Sequence, residues 1–567
     1  MPESPTRTSF SRRSILAFGM ASAAGLALTA CTGGGAVISQ SLLAGGAVRL
    51  PTYRKARAAI GANRLTSTVE GLPDIYTSSP TRYFTSVDAP PAAGSTIRTL
   101  QMLWFSPPAP EGKNPVWRRL NRDLRASFDP LLASADNYNS KLATVLAGGK
   151  LPDLMFVQDQ VPVGAQAFTA GAFADLSHYL SGDKILDYPN LANIPTYAWK
   201  AALKNGRIAG IPHVNPAVTS APTIRTDLMQ LAGFSQQPTS TTELLDMFTA
   251  IGKIGSHQGK RVWAIGGLGT GQIQTLARWM FGVGADWRID NRGNLTYFLE
   301  TDEFEEAVGY LRLLWQRGAF HPDALALGTD VQRSKEKQLW TEGHFAFEHD
   351  SPPWLAQQGM EQVEEGTKGA AVDFLVPPVA PGRSLAVAQD PGYWGIVAIA
   401  AAAEKDPRRM RELLGVCNYF AAPYGSSEAL FLGSGIEGYN FRFGTGHAVE
   451  PIDNADATTN LQGLRWLGAN APSYIALDAK NAKRKDSLLH ELELLTTAAK
   501  VDPTVGMYSP TQVSTSAQLT ALNEDWRNKV VSGRAPLSAI ATWRKQWRAN
   551  GGDQVRHEFE KAIRDAK

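Results

Sequence analysis

An α/β fold of mostly parallel sheets with helices on both faces is what the sequence predicts, and three observations predict it. Short apolar runs such as "TIRTLQMLWF" and "PDLMFV" alternate with helical patterns such as "TDEFEEAVGYLRLLWQRG". Strands separated by helices in this way build parallel sheets covered on each face. No fixed period recurs, which excludes a solenoid or propeller. The chain has 567 residues with 43% apolar content, more than one core holds, so it divides into domains.

The first element is an address. Arg7, Arg12 and Arg13 precede a charge-free run, Ile15 to Ala30, that ends in small residues, the pattern of a secretory signal spanning 1–30. "SRRSIL" resembles a twin-arginine export signal through Arg12 and Arg13, with the general secretory route left open. "LTAC" resembles a lipobox, in which Cys31 carries a diacylglycerol and becomes the first residue of the mature chain. Two acyl chains supply the two anchors that stable tethering needs. The leader takes three arginines and one glutamate with it, leaving 53 basic against 52 acidic side chains. That balance excludes nucleic acid as a partner and an anionic membrane face as a docking surface, so the membrane enters through the lipid alone. The second cysteine, Cys417, sits in "ELLGVCNYF" and reads as a small buried hydrophobe.

Residues 31–95, rich in Gly, Pro, Ser and Thr, read as a linker followed by an irregular segment that Tyr53, Ile75, Tyr76, Tyr83 and Phe84 hold on the folded body. From Thr96 the elements follow in order. "TIRTLQMLWF" is a strand and "NPVWRRLNRDLRASF" a helix; "NSKLATVLAGGK" is a second helix, closed by Gly148 and Gly149, and "PDLMFV" a buried strand. "GRIAGIPHV", "RVWAIGG" and "GHFAFEHD" continue the strands, "TTELLDMFTAIGKIG" and "IQTLARWMFGVG" the helices, and the chain from Lys485 is mostly helical.

Catalytic and cofactor signatures are poor. "GGLGTGQ", Gly266 to Gln272, lacks the third glycine of a dinucleotide fingerprint and the lysine of a phosphate loop, and reads as a strand-to-helix connection. "DWRIDNRGN" places arginines among would-be calcium ligands and reads as a turn at Asn291–Gly293. His344 and His349, five apart, fall on opposite faces of an extended segment. No catalytic residue, cofactor or metal site is assigned.

What stands out is 14 tryptophans. A sugar ring offers a flat apolar face edged by hydroxyls, so aromatic platforms combined with hydrogen-bonding side chains suit it. Doubly wound folds place ligands beyond the ends of strands. That rule selects Trp104, Phe105, Gln158, Asp159, His213, Asn215, Asp350, Tyr393 and Trp394.

Taken in order, "KLATVLAGGKLPDLMFV", "GRIAGIP", "TIRTDLMQLAGFSQQPTSTTEL", "RGAFHPD", "FLGSGIEGYNF" and "VSGRAPLSAIATWRKQWRANGGDQVRHEFEKA" are similar to segments of the family 1 extracellular solute-binding proteins, in the long lipoprotein branch. Asn440 and Phe441 depart from the usual His-Tyr. The resemblance implies a periplasmic-binding-protein-like fold of type II: two α/β lobes with ligand in the cleft between them, and crossings near Pro212–Thr219 and Gln389–Gly395. It implies lobe 1 over 96–215 and 391–450, lobe 2 over 216–390, and a helical part over 451–567 that belongs mainly to lobe 2. It adds Trp279 to the ligand residues. The function it implies is a monomeric receptor on the outer face of the cytoplasmic membrane that hands an oligosaccharide to the permease subunits of an ABC transporter. Two other readings stay open: a surface-anchored glycoside hydrolase using Asp159 and Asp350, whose carboxylates would have to lie about 5–10 Å apart, and the same fold with a peptide or other solute.

Overall fold

Thr96–Leu103 (β1) is buried on both faces over most of its length: Ile97, Leu100 and Met102 fill the core, while the buried Gln101 amide nitrogen donates to the Thr99 hydroxyl at 2.8 Å. The computed structural model describes residues 48–565, apart from 70–71, 104–105, 160, 205, 270–271, 330–331 and 466. The leader with Arg12, Arg13 and Cys31, and the pair Trp104 and Phe105, lie outside the described residues.

The helix predicted after β1 starts where Asn114 caps it. Its side chain accepts from Val116 and Trp117 N–H, and Pro115 occupies the first turn. Val116, Leu120 and Leu124 form the buried stripe of this helix, Pro115–Leu124 (α1). The expectation that it continues through Phe128 is corrected. Arg125 turns left-handed at φ 52°, and Ser127–Ser134 becomes a strand (β2) paired in parallel with all of β1. Pro130 is tolerated because β2 is an edge strand. Tyr138–Ala147 (α2) and the fully buried Leu154–Val157 (β3) follow as predicted.

Ile211–Val214 (β4), Ala221–Arg225 (β5), Phe347–Asp350 (β6), Val372–Phe374 (β7) and Tyr393–Ile399 (β8) complete two sheets. The first has the order β2-β1-β3-β8-β4, with β8 alone antiparallel to its neighbours. The late strand is thus inserted between two early ones. The second has the order β6-β5-β7 and is antiparallel throughout. The α/β architecture holds, but the expectation of a mostly parallel sheet does not extend to this second sheet. Both neighbours of β5 run antiparallel to it, and the parallel partners around Trp263 and Ile265 form only single bridges, to Phe345 and Phe320.

Among the described residues, two large cores and two smaller ones surround the sheets. One large core gathers Ile97, Leu120, Trp199, Ile211, Ile396 and Leu467. The other gathers Phe248, Leu276, Phe304, Phe347, Trp543 and Phe559, so the C-terminal helices 510–531, 540–547 and 553–565 pack on the second body. The connection predicted at Asn291–Gly293 is a hairpin turn: Asp290 accepts from Arg292 and Asn294 N–H, and Gly293 takes φ +88°. Cys417 is fully buried.

Between the bodies the chain crosses at residues 215–220 and 389–392, and the two crossings are hydrogen-bonded to each other. Asn215 N donates to Gly392 O at 3.0 Å and Asp390 N to Ala217 O at 2.9 Å. A third connection, residues 468–473, had no counterpart in the sequence reading. It leads from Leu467 in the first core to the strand Tyr474–Ala476, and the Asn470 amide bridges Val214 N (2.7 Å) and Val214 O (3.1 Å).

Candidate functional site

The ends of β3, β4 and β8 meet where the crossings leave the first sheet. Tyr393 opens β8 opposite Val214, and its hydroxyl donates to Asp159 Oδ2 at 2.9 Å. Asp159, just past β3, also takes an ion pair from Lys204 at 2.5 Å, with side-chain exposures of 7% and 16%. Lys204 Nζ lies 6.0 Å from the Tyr393 ring centroid. Burial and the neighbouring Asp159 carboxylate raise the Tyr393 phenol far above its usual range, so it acts as a donor. Lys204 was missed by the sequence reading because no local pattern ties it to a residue 45 positions earlier.

On the alternate face of the same sheet end, Trp394 lies 5.1 Å from Phe156, and His213 lies 5.9 Å from Phe156 and 6.0 Å from Trp394, edge-on to both rings. His213 Nδ1 contacts Gly468 O at 2.7 Å, and burial lowers its pKa to about 4, so the imidazole is neutral. Asn215 receives the Tyr197 hydroxyl on its carbonyl at 3.0 Å, and its side chain hydrogen-bonds Asp390. Gln158 is half-buried and its carbonyl caps the turn into Val161.

The second sheet contributes the end of β6, where Asp350 stands opposite Ala221, the first residue after the crossing. Asp350 is held by Arg333 at 3.0 Å and Lys337 at 2.7 Å, both on Arg333–Thr341 (α3). Arg333 also pairs with Glu348 at 2.6 Å and with Glu336. Burial pushes both glutamates up, and the Arg333 guanidinium opposes it. Lys337 sits 3.9 Å over the Trp354 ring. Trp279 is buried, edge-on to His349 at 4.9 Å, and His349 is itself lowered to about 4 by burial. His344 faces away, toward Arg261 O. Arg333, Lys337 and Trp354 were missed; the signals were the i, i+4 cations of "RSKEK" and the aromatic after "HDSPP".

The structure therefore brings Asp159, Tyr393, Trp394, His213 and Asn215 to one sheet end. It brings Asp350 and Trp279 to the end of the other, joined by short crossings. Both carboxylates are committed to cations, and the surroundings offer rings, amides and paired charges. A cavity of about 490 Å³ also lies against the crossings, and of the predicted residues only Asn215 lines it.

Residues 132–406 match the family model described as bacterial extracellular solute-binding protein. The chain is 23% identical over 491 residues to lipoprotein LipO of Bacillus subtilis, covering 84% of this chain and 94% of that protein. It is 21% identical over 472 residues to the polygalacturonan/rhamnogalacturonan-binding protein YtcQ of the same organism, covering 81% and 89%. Among solved structures, an HMO-binding, ABC-transporter-associated solute-binding protein of Bifidobacterium longum infantis superposes with a TM-score of 0.60 at 15% identity, over 83% of this chain and 99% of that one.

Proposed function

We propose that this chain, a member of the bacterial extracellular solute-binding proteins, captures an oligosaccharide between the ends of its two sheets and delivers it to an ABC permease. The observation that carries this is the pairing of two sheet ends across hydrogen-bonded crossings, each end bearing rings and oriented polar groups. A ligand that touches both ends only when they approach selects the closed arrangement, and a permease distinguishes loaded from empty receptor by it. YtcQ is a polygalacturonan/rhamnogalacturonan-binding protein and the Bifidobacterium neighbour is HMO-binding and ABC-transporter-associated, which supports a carbohydrate ligand.

The contact residues of the proposal are Gln158, Asp159, His213, Asn215, Tyr393 and Trp394 from the first body with Trp279 and Asp350 from the second, together with Trp104 and Phe105, the next two residues in the sequence after β1. Binding without turnover is the reading because Asp159 and Asp350, the carboxylates a hydrolase would use, are each neutralised by a buried or half-buried cation. Lipidation at Cys31 would hold a monomeric receptor at the outer face of the cytoplasmic membrane. No helix among the described residues is long and apolar enough to cross a membrane.

The test is a panel of oligosaccharides scored by melting shift, with products followed by chromatography. A ligand bound by the folded state alone stabilises by RT ln(1 + [L]/Kd), about 2.7 kcal/mol at a hundredfold excess over Kd. A shift with intact sugar is the expected result. Cleaved sugar refutes the receptor, and no shift across the panel refutes the carbohydrate ligand.

A further inference from the structure

Residues 48–69 and 72–87 form a strap across the molecule. Thr52 N donates to Gly182 O, Arg54 N to Ala192 O and Ala56 N to the Asn193 side chain, all on the first body. The strand Asp74–Tyr76 then pairs in parallel with Tyr474–Ala476, which buries Ile75 beside Ile475 and Leu477 in a core shared with Trp340 and Val372 of the second body. Phe84 N and Ser86 N return to Gly425 O and Glu428 on the first.

Between this strap and the crossing residues 214–216 and 471–474 lies the cavity of about 490 Å³, inside the roughly 300–1,000 Å³ range of small-molecule sites. Its aromatic wall is a tyrosine cluster. Tyr76 and Tyr424 have centroids 4.5 Å apart, and Tyr424 and Tyr474 are 4.2 Å apart. Tyr474 keeps 42% of its surface exposed, so an aromatic surface remains open. Asn193, Ser473 and the Lys55–Asp74 pair supply donors and acceptors around it. Flat apolar faces ringed by amide, hydroxyl and charged groups match a pyranose.

We infer that this cavity is a second binding site, for a saccharide of one or two pyranose rings, separate from the site between the sheet ends. The separation follows from strand alternation: Val214 lines the cavity, whereas His213 points to the other face, against Phe156 and Trp394. The inference stands on the cavity's own walls and does not depend on what the sheet ends bind.

Calorimetric titration of the full chain with two probes, neutral cellobiose and acidic digalacturonate, tests it. The expected result is binding of at least one probe that falls tenfold or more in Tyr424→Ala/Tyr474→Ala and in Ser473→Trp, which fills the cavity without removing a tyrosine. Trp394→Ala, which disturbs the sheet-end site, should leave this binding in place. Binding of neither probe overturns the inference. So does binding that is lost in Trp394→Ala and unchanged in both cavity variants, a pattern that would instead support the sheet-end site.

Discussion

Replacing Asp159 by Asn removes one charge from an ion pair that is nearly out of water. Lys204 Nζ lies 2.5 Å from the carboxylate, the side chains are 7% and 16% exposed, and the only other described donor to Asp159 Oδ2 is the Tyr393 hydroxyl at 2.9 Å. An isolated buried ammonium is costly, and breaking such a pair from one side costs about 3–5 kcal/mol. Lys204→Met alone strands the carboxylate and should cost about the same. With both partners replaced by neutral side chains of similar volume, the penalty should fall to roughly 1–2 kcal/mol, so the singles and the double close a cycle with a coupling of at least about 4 kcal/mol. Urea unfolding of the four proteins, followed by circular dichroism at pH 7, measures it. The desolvated-pair account is refuted if Asp159→Asn lies within about 1 kcal/mol of the parent or if the singles simply add. The double variant then separates structure from recognition. It should fold and yet lose affinity for a saccharide bound between the sheet ends, since Tyr393 no longer has a carboxylate to orient it; unchanged affinity there would remove Asp159 from the site.

Asp390 lies between the crossings and burial pushes its pKa up to about 6, against hydrogen bonds from Gly392 and Asn215. Its folded value exceeds the unfolded one near 3.9, so its contribution is full below about pH 4 and is lost as pH rises through 6, about 3 kcal/mol in all. The melting temperature of Asp390→Asn minus that of the parent should therefore rise from pH 4 to 7; a flat difference contradicts this. His213 and His349 move the other way: both are lowered to about 4 by burial, so their contribution is complete above pH 6.5 and lost as pH falls toward 4. Denaturant midpoints of His213→Gln/His349→Gln should fall less steeply between pH 6.5 and 4.5 than those of the parent, and an equal slope would refute it. Gly468 takes φ +101°, and an added Cβ would meet Phe156 at 2.7 Å, so Gly468→Ala should destabilise by more than about 1 kcal/mol in the same assay. Cys31→Ala should release the protein from the membrane fraction into the medium; continued membrane association would refute lipidation.

Local signals carried much of the fold. Asn114 followed by Pro115 marks a helix start because a side-chain oxygen caps free amides there, and "LMFV" marks a buried strand because all four residues are apolar. The rule that ligands gather beyond strand ends brought Asp159, His213, Tyr393 and Trp394 to one place in the structure, although they lie up to 235 positions apart. It did not find Arg333, Lys337 or Trp354, whose relation to Asp350 is made by packing α3 against β6. Trp279, which the resemblance added, is buried and lies edge-on to His349.

By itself, the sequence determined the alternation of strands and helices, the apolar content that demands more than one core, the caps and turns, and the tyrosines and tryptophans available for recognition. These depend on neighbours within a turn or two, where spacing along the chain is spacing in space. Only the tertiary structure decided that Ser127–Ser134 pairs as an edge strand, that Lys204 neutralises Asp159, that a third connection at 468–473 locks onto Val214, and that Asp74–Tyr76 pairs with Tyr474–Ala476 four hundred residues away. Those pairings are chosen by which backbone groups and charges are left to satisfy once the cores have closed, and no periodicity in the chain records that choice.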